Sequence, residues 1–139
     1  MYKRQVGANG SVWVIGTNTV GGGYGIYHWT GSAWAAVPGG GITIAVGPDG
    51  SPWLTNSTHQ IYYRVGTTWV HLPGAATDIA VGANGSVWVI GTNTAGGGYG
   101  IYHWTDSAWN ANPGGAVTIA VDPGGNPWVI NSSHRIYSS

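Results

Sequence analysis

A long internal repeat constrains the fold of this chain more than any other feature of its sequence. Residues 7–34 return as residues 82–109, an offset of 75 positions, with only two differences. The differing pairs are Val20/Ala95 and Gly31/Asp106. The offset continues to the C-terminus, where Ser139 aligns with Arg64. Repetition at a fixed period is typical of chains built from stacked copies of one structural unit.

Each 75-residue repeat contains two smaller, related units. Four tryptophans mark these units, at spacings of 40, 35 and 40 residues. They are Trp13, Trp53, Trp88 and Trp128. The first and third units carry five more residues than the others between this tryptophan and the next Ile-Tyr pair, in a segment rich in glycine (residues 18–25 in the first unit). The chain therefore alternates long and short units, which we number 1 to 4.

Every unit is a series of short strands separated by tight turns. Dipeptides such as Asn9-Gly10 and Asp49-Gly50 supply the positive φ angles that tight hairpins require. Four strands in about 35–40 residues are typical of a β-propeller blade, and a chain with two leucines and no glutamate lacks the usual helix formers. We therefore predict an all-β fold, a β-propeller of four tandem four-stranded blades in a single domain (1–139). The predicted blades cover approximately residues 2–40, 41–75, 76–115 and 116–139.

The last blade is predicted to lack its outer strand. Two full repeats would need 150 positions and the chain has 139, so the counterpart of residues 65–75 is missing. A propeller with an incomplete ring leaves unpaired strand edges that invite association. We therefore expect a homo-oligomer that completes the ring, with two chains making an eight-bladed ring as the favoured form. Two alternatives stay open: four blades that close a tight ring within one chain, and a chain that is an excised or engineered fragment.

Three motifs that recur in order resemble those of the tectonin family of β-propeller lectins. In unit 2 they are Ile-Ala-Val-Gly-Pro-Asp-Gly-Ser-Pro-Trp (44–53), Asn-Ser-Thr-His-Gln-Ile-Tyr (56–62) and Trp-Val-His-Leu-Pro-Gly (69–74), with partial copies in the other units. The resemblance covers almost the whole chain. It implies a propeller that recognises glycans, including methylated glycans and bacterial surface polysaccharides.

Charge and hydrophobicity argue against two classes of partner. Charged residues are only 6% of the chain and the formal net charge is zero, so we expect no binding of nucleic acid. No apolar run approaches the length of a membrane span, and we expect no membrane insertion. No signal peptide is visible, because the charged segment Met1–Gln5 has no apolar stretch behind it. The location stays open between cytoplasmic and secreted.

The sequence gives little support for catalysis or for a bound metal. Cysteine is absent and no two histidines have a metal-ligand spacing, so no cofactor is expected. The four aspartates do not recur at one position in the units. A pair of carboxylates for glycoside hydrolysis therefore cannot be assembled, and we do not expect an enzyme.

Aromatic, histidine and asparagine side chains that recur beside turns and glycine-rich loops are the candidate ligand-binding residues. A sugar needs an apolar platform for its C–H face and polar groups for its hydroxyls. In the long units the candidates are Tyr24, His28, Trp29 and Trp34, with their counterparts Tyr99, His103, Trp104 and Trp109. In the short units they are Asn56, His59 and Trp69, with Asn131 and His134. Residues present in every unit, such as Trp13 and Ile26, are assigned to packing between blades.

Two functions stay open on this basis. The first is a multivalent carbohydrate-binding propeller, in which repeated weak sites give avidity for a dense glycan surface. The alternative is a structural, engineered or protein-interaction propeller scaffold without a sugar ligand, in which the recurring aromatic residues are only core. Exposure of His28, Trp29 and Trp34 around pockets favours the first, and burial between blades favours the second.

Overall fold

The computed structural model describes residues 3–139, which form fifteen strands. Blade 1 contains β1 (Lys3–Val6), β2 (Val12–Val20), β3 (Gly23–Trp29) and β4 (Trp34–Gly41). Blade 2 contains β5 (Thr43–Val46), β6 (Pro52–Thr55), β7 (Ile61–Val65) and β8 (Thr68–Leu72). Blade 3 contains β9 (Asp78–Val81), β10 (Val87–Ala95), β11 (Gly98–Trp104) and β12 (Trp109–Ala116). Blade 4 contains β13 (Thr118–Val121), β14 (Pro127–Ile130) and β15 (Ile136–Ser138).

Each blade is an antiparallel meander in which every strand pairs with the next one along the chain. The predicted all-β propeller of four blades is confirmed, and the last blade has three strands. The turn glycines adopt the positive φ that their dipeptides predict, with +87° at Gly10 and +86° at Gly50. Met1 and Tyr2, which include the predicted start of blade 1, lie outside the described residues. Nothing in residues 3–139 forms a helix able to cross a membrane.

Each blade packs on the next through two different faces. We call the side directed at the following blade the trailing face, represented in blade 1 by Trp13, Ile15 and Ile26. We call the side directed at the preceding blade the leading face, represented in blade 2 by Ile44 and Leu54. These five side chains form one buried cluster. Since side chains alternate along a strand, the same strands supply both faces.

The same pair of faces forms the other two junctions. Blade 2 meets blade 3 through Ala45 and Ile61 on one side and Ile79, Val87 and Val89 on the other. Blade 3 meets blade 4 through Trp88, Ile90 and Ile101 on one side and Ile119 and Val129 on the other. The hydrophobic core is therefore three similar layers between blades.

The four blades form an arc. The inner strands β1, β5, β9 and β13 lie side by side in that order, whereas β13 has no comparable packing against β1 within the described part of the chain. A space of about 330 Å³ on the inner side is lined by three alanines of these strands and by Gln5. The alanines are Ala45, Ala80 and Ala120. The leading face of blade 1 and the trailing face of blade 4 are left at the two ends of the arc.

Candidate functional site

The additional glycine-rich residues of the long blades extend the hairpin between their second and third strands. In blade 1 this hairpin turns at Gly21 and Gly22 and reaches the β6–β7 turn of blade 2. There the backbone N–H of Ser57 donates a 2.9 Å hydrogen bond to the carbonyl of Gly22. The corresponding bond joins Ser132 of blade 4 to Gly97 of blade 3 over 2.8 Å. The long hairpins thus join blades 1 and 2, and blades 3 and 4.

A cleft of about 260 Å³ lies at the junction of blades 1 and 2, beside this hydrogen bond. We call it the first cleft. It is lined by half-buried Asn56, by the rings of Tyr62 and Trp69, by buried Ile26 and Leu54, and by four glycines. The glycines are Gly21, Gly22, Gly39 and Gly40. One wall therefore presents backbone N–H and C=O groups, and the other presents an amide and two aromatic rings.

Close approach of two backbone segments explains most of these glycines. A Cβ atom on Gly40 would collide with the carbonyl oxygen of Gly21, and one on Gly22 would lie 3.1 Å from the carbonyl oxygen of Gly40. Gly22 also has a φ of +94°, which side chains disfavour. Gly21 differs, because open space surrounds its Cβ position and its φ lies outside the left-handed region. A side chain at Gly21, which lines the cleft, would therefore not collide with the backbone.

Asn56 organises the opposite wall of the first cleft. Its Oδ1 accepts hydrogen bonds from the backbone N–H groups of Thr58 and Gln60, at 3.1 and 2.9 Å. Its Nδ2 donates to Oε1 of Gln60 over 2.9 Å, and the hydroxyl of Tyr62 donates to the same oxygen over 3.5 Å. Asn56 is thus fixed in one orientation at the cleft wall, together with a cluster of polar groups.

A second cleft, of about 520 Å³, lies at the equivalent place between blades 3 and 4. It is lined by Gly96, Asn131 and Tyr137, the counterparts of Gly21, Asn56 and Tyr62. Arg135 stands where Gln60 does, and Nδ2 of Asn131 makes no hydrogen bond with any described residue. No counterpart of Trp69 is among the residues that line the second cleft.

The outer tryptophans connect blades where a preceding blade exists. The indole N–H of Trp69 donates to the carbonyl of Pro38 over 2.6 Å, and that of Trp109 donates to the carbonyl of Pro73 over 2.8 Å. Trp34 occupies the same position in blade 1, where it is exposed and its indole makes no hydrogen bond with residues 3–139. Of these predicted site residues, Trp69 lines the first cleft, whereas Trp109 packs between blades 2 and 3.

The structure does not bring His28 and Trp29 together. The ring of His28 stacks on Trp13 at 4.3 Å on the trailing face, while Trp29 contacts Trp34 at 5.0 Å on the leading face. Their counterparts repeat this arrangement in blade 3. His103 stacks on Trp88 at 4.4 Å, and Trp104 contacts Trp109 at 4.8 Å. The histidines are therefore half-buried packing partners of the blade tryptophans.

The remaining predicted residues lie near the clefts without lining them. His59 and His134 are exposed in the turns after Asn56 and Asn131, with positive φ angles of 66° and 65°. Tyr24 packs against the core between blades 1 and 2, and Tyr99 is more exposed in the equivalent strand of blade 3. Of the thirteen residues predicted from the sequence, Asn56, Trp69 and Asn131 line the first or the second cleft. His28 lines a separate space beside Trp13 and Arg64.

Few charged groups lie near these junctions. Arg64 stands where the long blades have Trp29 and Trp104, with its guanidinium 5.1 Å from the centre of the Trp69 ring. Its Nη1 is buried without a hydrogen-bond partner among the described residues. The backbone N–H of Asn126 donates to Asp122 and lowers the pKa of that carboxyl below its usual value, as does the indole N–H of Trp128. Within residues 3–139 no three potential metal ligands cluster.

Sequence reasoning missed the cleft wall formed by Gly21, Gly22, Gly39 and Gly40, which we call the glycine wall. It also missed the tyrosines Tyr62 and Tyr137. The signal for the wall was present, because five additional residues occur in every long unit and in no short one. The sequence interpretation assigns these glycines to turns and gives their backbone no binding role. The tyrosines belong to the Ile-Tyr pairs that recur in every unit, which made them resemble core residues.

Comparison with known proteins agrees with the fold. The family model of the Tectonin domain matches residues 3–139. The chain belongs to the tectonin family. This propeller family is associated with lectin-like functions. A segment of 35 residues is 46% identical to Tectonin-2 of Physarum polycephalum, and the match covers 25% of this tectonin chain but 10% of that protein.

A solved structure also resembles this tectonin. The structure of YCF48 bound to D1 peptide, a propeller protein, superimposes with a TM-score of 0.58 and 18% sequence identity. The overlap covers 93% of this chain and 47% of that one. At this identity the likeness shows the fold alone. The tectonin chain thus spans about half, or less, of the length of the proteins that it matches.

Proposed function

We propose that this tectonin chain is a multivalent carbohydrate-binding propeller that holds neutral or methylated glycans, or bacterial surface polysaccharide, in its first and second clefts. The observation that carries the proposal is the recurrence of one cleft design at two junctions. Each cleft combines a glycine backbone wall with a half-buried asparagine and a tyrosine ring. The lectin-like associations of the family support the same class of ligand.

The lining of the first cleft fits the chemistry of a sugar. A pyranose ring offers C–H groups that pack on aromatic rings and hydroxyls that pair with amide and backbone groups. Tyr62 and Trp69 meet the first requirement. The second requirement falls to the Nδ2 hydrogen of Asn56 that no described residue accepts, together with the glycine backbone. The cleft is smaller than the roughly 300–1,000 Å³ of sites for drug-sized ligands, which suits one or two sugar rings. A chain without net charge suits a neutral ligand.

Two clefts on one chain make the proposed binding bivalent. A shallow cleft of this size binds one sugar weakly, because little of the ligand is removed from water. When both clefts engage one dense glycan surface, the second binding event becomes intramolecular and the total affinity rises without any new contact. Binding to a polysaccharide is therefore expected to be much tighter than binding to its monosaccharide.

A glycan array followed by calorimetry on cleft-filling variants tests the proposal. The array includes O-methylated sugars and bacterial lipopolysaccharides, and calorimetry on a sugar that binds counts the sites. Gly21→Leu adds a bulky side chain to the lining of the first cleft and Gly96→Leu adds one to the lining of the second, at positions where a Cβ atom meets open space. We expect each single variant to lose one site, and the double variant to bind roughly tenfold more weakly or not at all.

Ser32→Leu is the matched control, because Ser32 lies exposed in the β3–β4 turn and lines neither cleft. The control and all cleft variants should keep the melting temperature of the parent chain. If the double variant binds the sugar as tightly as the parent chain does, the clefts are not the binding sites. If the folded parent chain binds no glycan on the array, the result would favour the alternative function, a propeller scaffold without a sugar ligand.

A further inference from the structure

A half-buried arginine lies at the junction of blades 1 and 2, outside the two clefts. Arg64 lines a space of about 450 Å³ between these blades, which we call the basic pocket. The other units have Trp29, Trp104 and Ser139 at its position, so blade 2 alone carries a cation there. The chain has only four lysines and arginines in all. A charge that is partly withdrawn from water is costly unless another group pairs with it.

The chain supplies Arg64 with an aromatic neighbour but with no acceptor for its buried nitrogen. The guanidinium lies 5.1 Å from the centre of the Trp69 ring, whose face attracts the positive charge. Nη1 is buried and has no hydrogen-bond partner among the described residues. A guanidinium carries five N–H donors in one plane, and a neighbouring ring face does not replace an acceptor in that plane. The group is therefore held in place while part of its hydrogen-bonding capacity stays unused.

Asp49 lines the basic pocket as well, but it pairs within its own turn rather than with Arg64. Its Oδ1 accepts a 3.0 Å hydrogen bond from the backbone N–H of Ser51, and its Oδ2 accepts a 3.1 Å bond from the Ser51 hydroxyl. Asp49 is exposed to water in this turn, whereas Arg64 is half-buried. The cation therefore remains available to a ligand in the pocket.

Blade 1 contributes two further polar side chains to the basic pocket. Ser11 and His28 both line it and are half-buried. The imidazole of His28 stacks on Trp13 at 4.3 Å, and neither this imidazole nor the Ser11 hydroxyl makes a hydrogen bond within residues 3–139. The indole N–H of Trp13 donates to the carbonyl of Gly50 over 3.1 Å, which fixes blade 1 against blade 2 at this wall. Three side chains from two blades can therefore donate hydrogen bonds to a ligand in one fixed space.

We propose that the basic pocket binds a carboxylate, with Arg64 as the cation and with Ser11 and His28 as further donors. A guanidinium pairs with both oxygens of a carboxylate at once, and such charge-assisted bonds are roughly twice as strong as neutral ones. Asp49 repels a second negative charge on the ligand, so a carboxylate with one charge is favoured over a phosphate.

The basic pocket selects a ligand class that the first cleft does not. The lining of the first cleft contains no charged residue, whereas the basic pocket presents a cation. Its volume suits a carboxylate carried by a small molecule such as an acidic sugar. The inference holds whether or not the clefts bind neutral sugars.

Amide and side-chain NMR of the isotope-labelled chain, titrated with glucuronate and with glucose, tests this assignment. The two probes share one ring and differ at the carboxylate. We expect glucuronate to shift the Nε–H of Arg64 and the indole N–H of Trp13, and glucose to leave both signals unchanged. Acetate and glucose 6-phosphate complete the set of probes. Tighter binding of glucuronate than of acetate would identify an acidic sugar as the source of the carboxylate, and equal affinity would identify a free carboxylate.

Arg64→Trp and Arg64→Gln remove the cation in two ways. Arg64→Trp restores the aromatic pair that Trp29 forms with Trp34 in blade 1, and Arg64→Gln removes the charge without adding bulk. We expect either variant to weaken glucuronate binding by roughly tenfold to a hundredfold, the usual effect of losing a hydrogen bond to a charged group. Arg135→Gln is the matched control, since it removes the same charge from an exposed turn of blade 4 and introduces the residue of the equivalent turn, Gln60.

The control should bind glucuronate as the parent chain does, and all three variants should keep the melting temperature of the parent. The proposal is overturned if glucuronate leaves the Arg64 signal unshifted, or if Arg64→Gln binds glucuronate as tightly as the parent. It is also overturned if Arg135→Gln loses as much affinity as the Arg64 variants, or if glucose 6-phosphate binds more tightly than glucuronate. Gly21→Leu and Gly96→Leu test the clefts with a neutral sugar, so the two proposals can fail separately.

Discussion

Trp109 and Trp34 show how one residue type at one repeat position acquires two environments. Both contact a neighbouring tryptophan of their own blade, but only Trp109 has a preceding blade to receive its indole N–H. Gly31 and Asp106 also occupy the same repeat position. Both lie in a turn with a positive φ angle, 100° at Gly31 and 76° at Asp106. The repeat position therefore specifies the local backbone conformation, and the neighbouring blade specifies the contacts that the side chain makes.

Trp109→Phe should lower the free energy of unfolding by about 1 kcal/mol, the usual net contribution of one hydrogen bond. The substitution removes the indole donor and leaves the carbonyl of Pro73 without its partner. Trp34→Phe is the matched control and should change stability much less, because the Trp34 indole has no partner in the described chain. Urea titration of both variants measures the difference. Equal losses would show that the hydrogen bond between the blades contributes nothing.

At the scale of secondary-structure elements, the long hairpins distinguish two kinds of junction between blades. They join blade 1 to blade 2 and blade 3 to blade 4, and they are absent from the junction of blades 2 and 3 within the described residues. The number of strands and their order within a blade follow from the repeat and its turn dipeptides, and the structure agrees with both. The clefts could not be derived in the same way. Alternation places His28 and Trp29 on opposite faces of β3, but the packing of the neighbouring blades determines which of them is covered. The glycine wall likewise depends on the close approach of the β2–β3 hairpin to strand β4 in three dimensions.

Shortening one long hairpin should remove one cleft and preserve the blade. Replacing residues 16–25 with the five residues of the blade 2 turn (56–60) deletes the segment that contacts Ser57. We expect the β-rich circular dichroism spectrum to persist and sugar binding at the first cleft to disappear.

The same exchange at residues 91–100 in blade 3 is the internal control, since it should remove the second cleft and leave the first. Calorimetric site counts on both variants measure the result. Two remaining sites in either variant would contradict the role of the hairpin.

At the scale of the whole molecule, the described residues form an arc of four blades, with the first cleft between blades 1 and 2 and the second cleft between blades 3 and 4. The repeat predicted the blades, the alternation of long and short units, and the missing outer strand. It could not predict where the clefts lie, because each cleft forms only when a neighbouring blade packs beside the long hairpin.

The most direct test of the central claim is a titration of the isotope-labelled chain with a sugar identified on the array, followed by amide NMR. The account predicts shifts at the cleft glycines Gly21, Gly22, Gly39 and Gly40 and at the indole of Trp69. Glycines in exposed turns away from the clefts, such as Gly31 and Gly66, should stay unchanged. Shifts confined to Trp29 and Trp34, with silent cleft glycines, would contradict the account and place the sugar on the end of the arc.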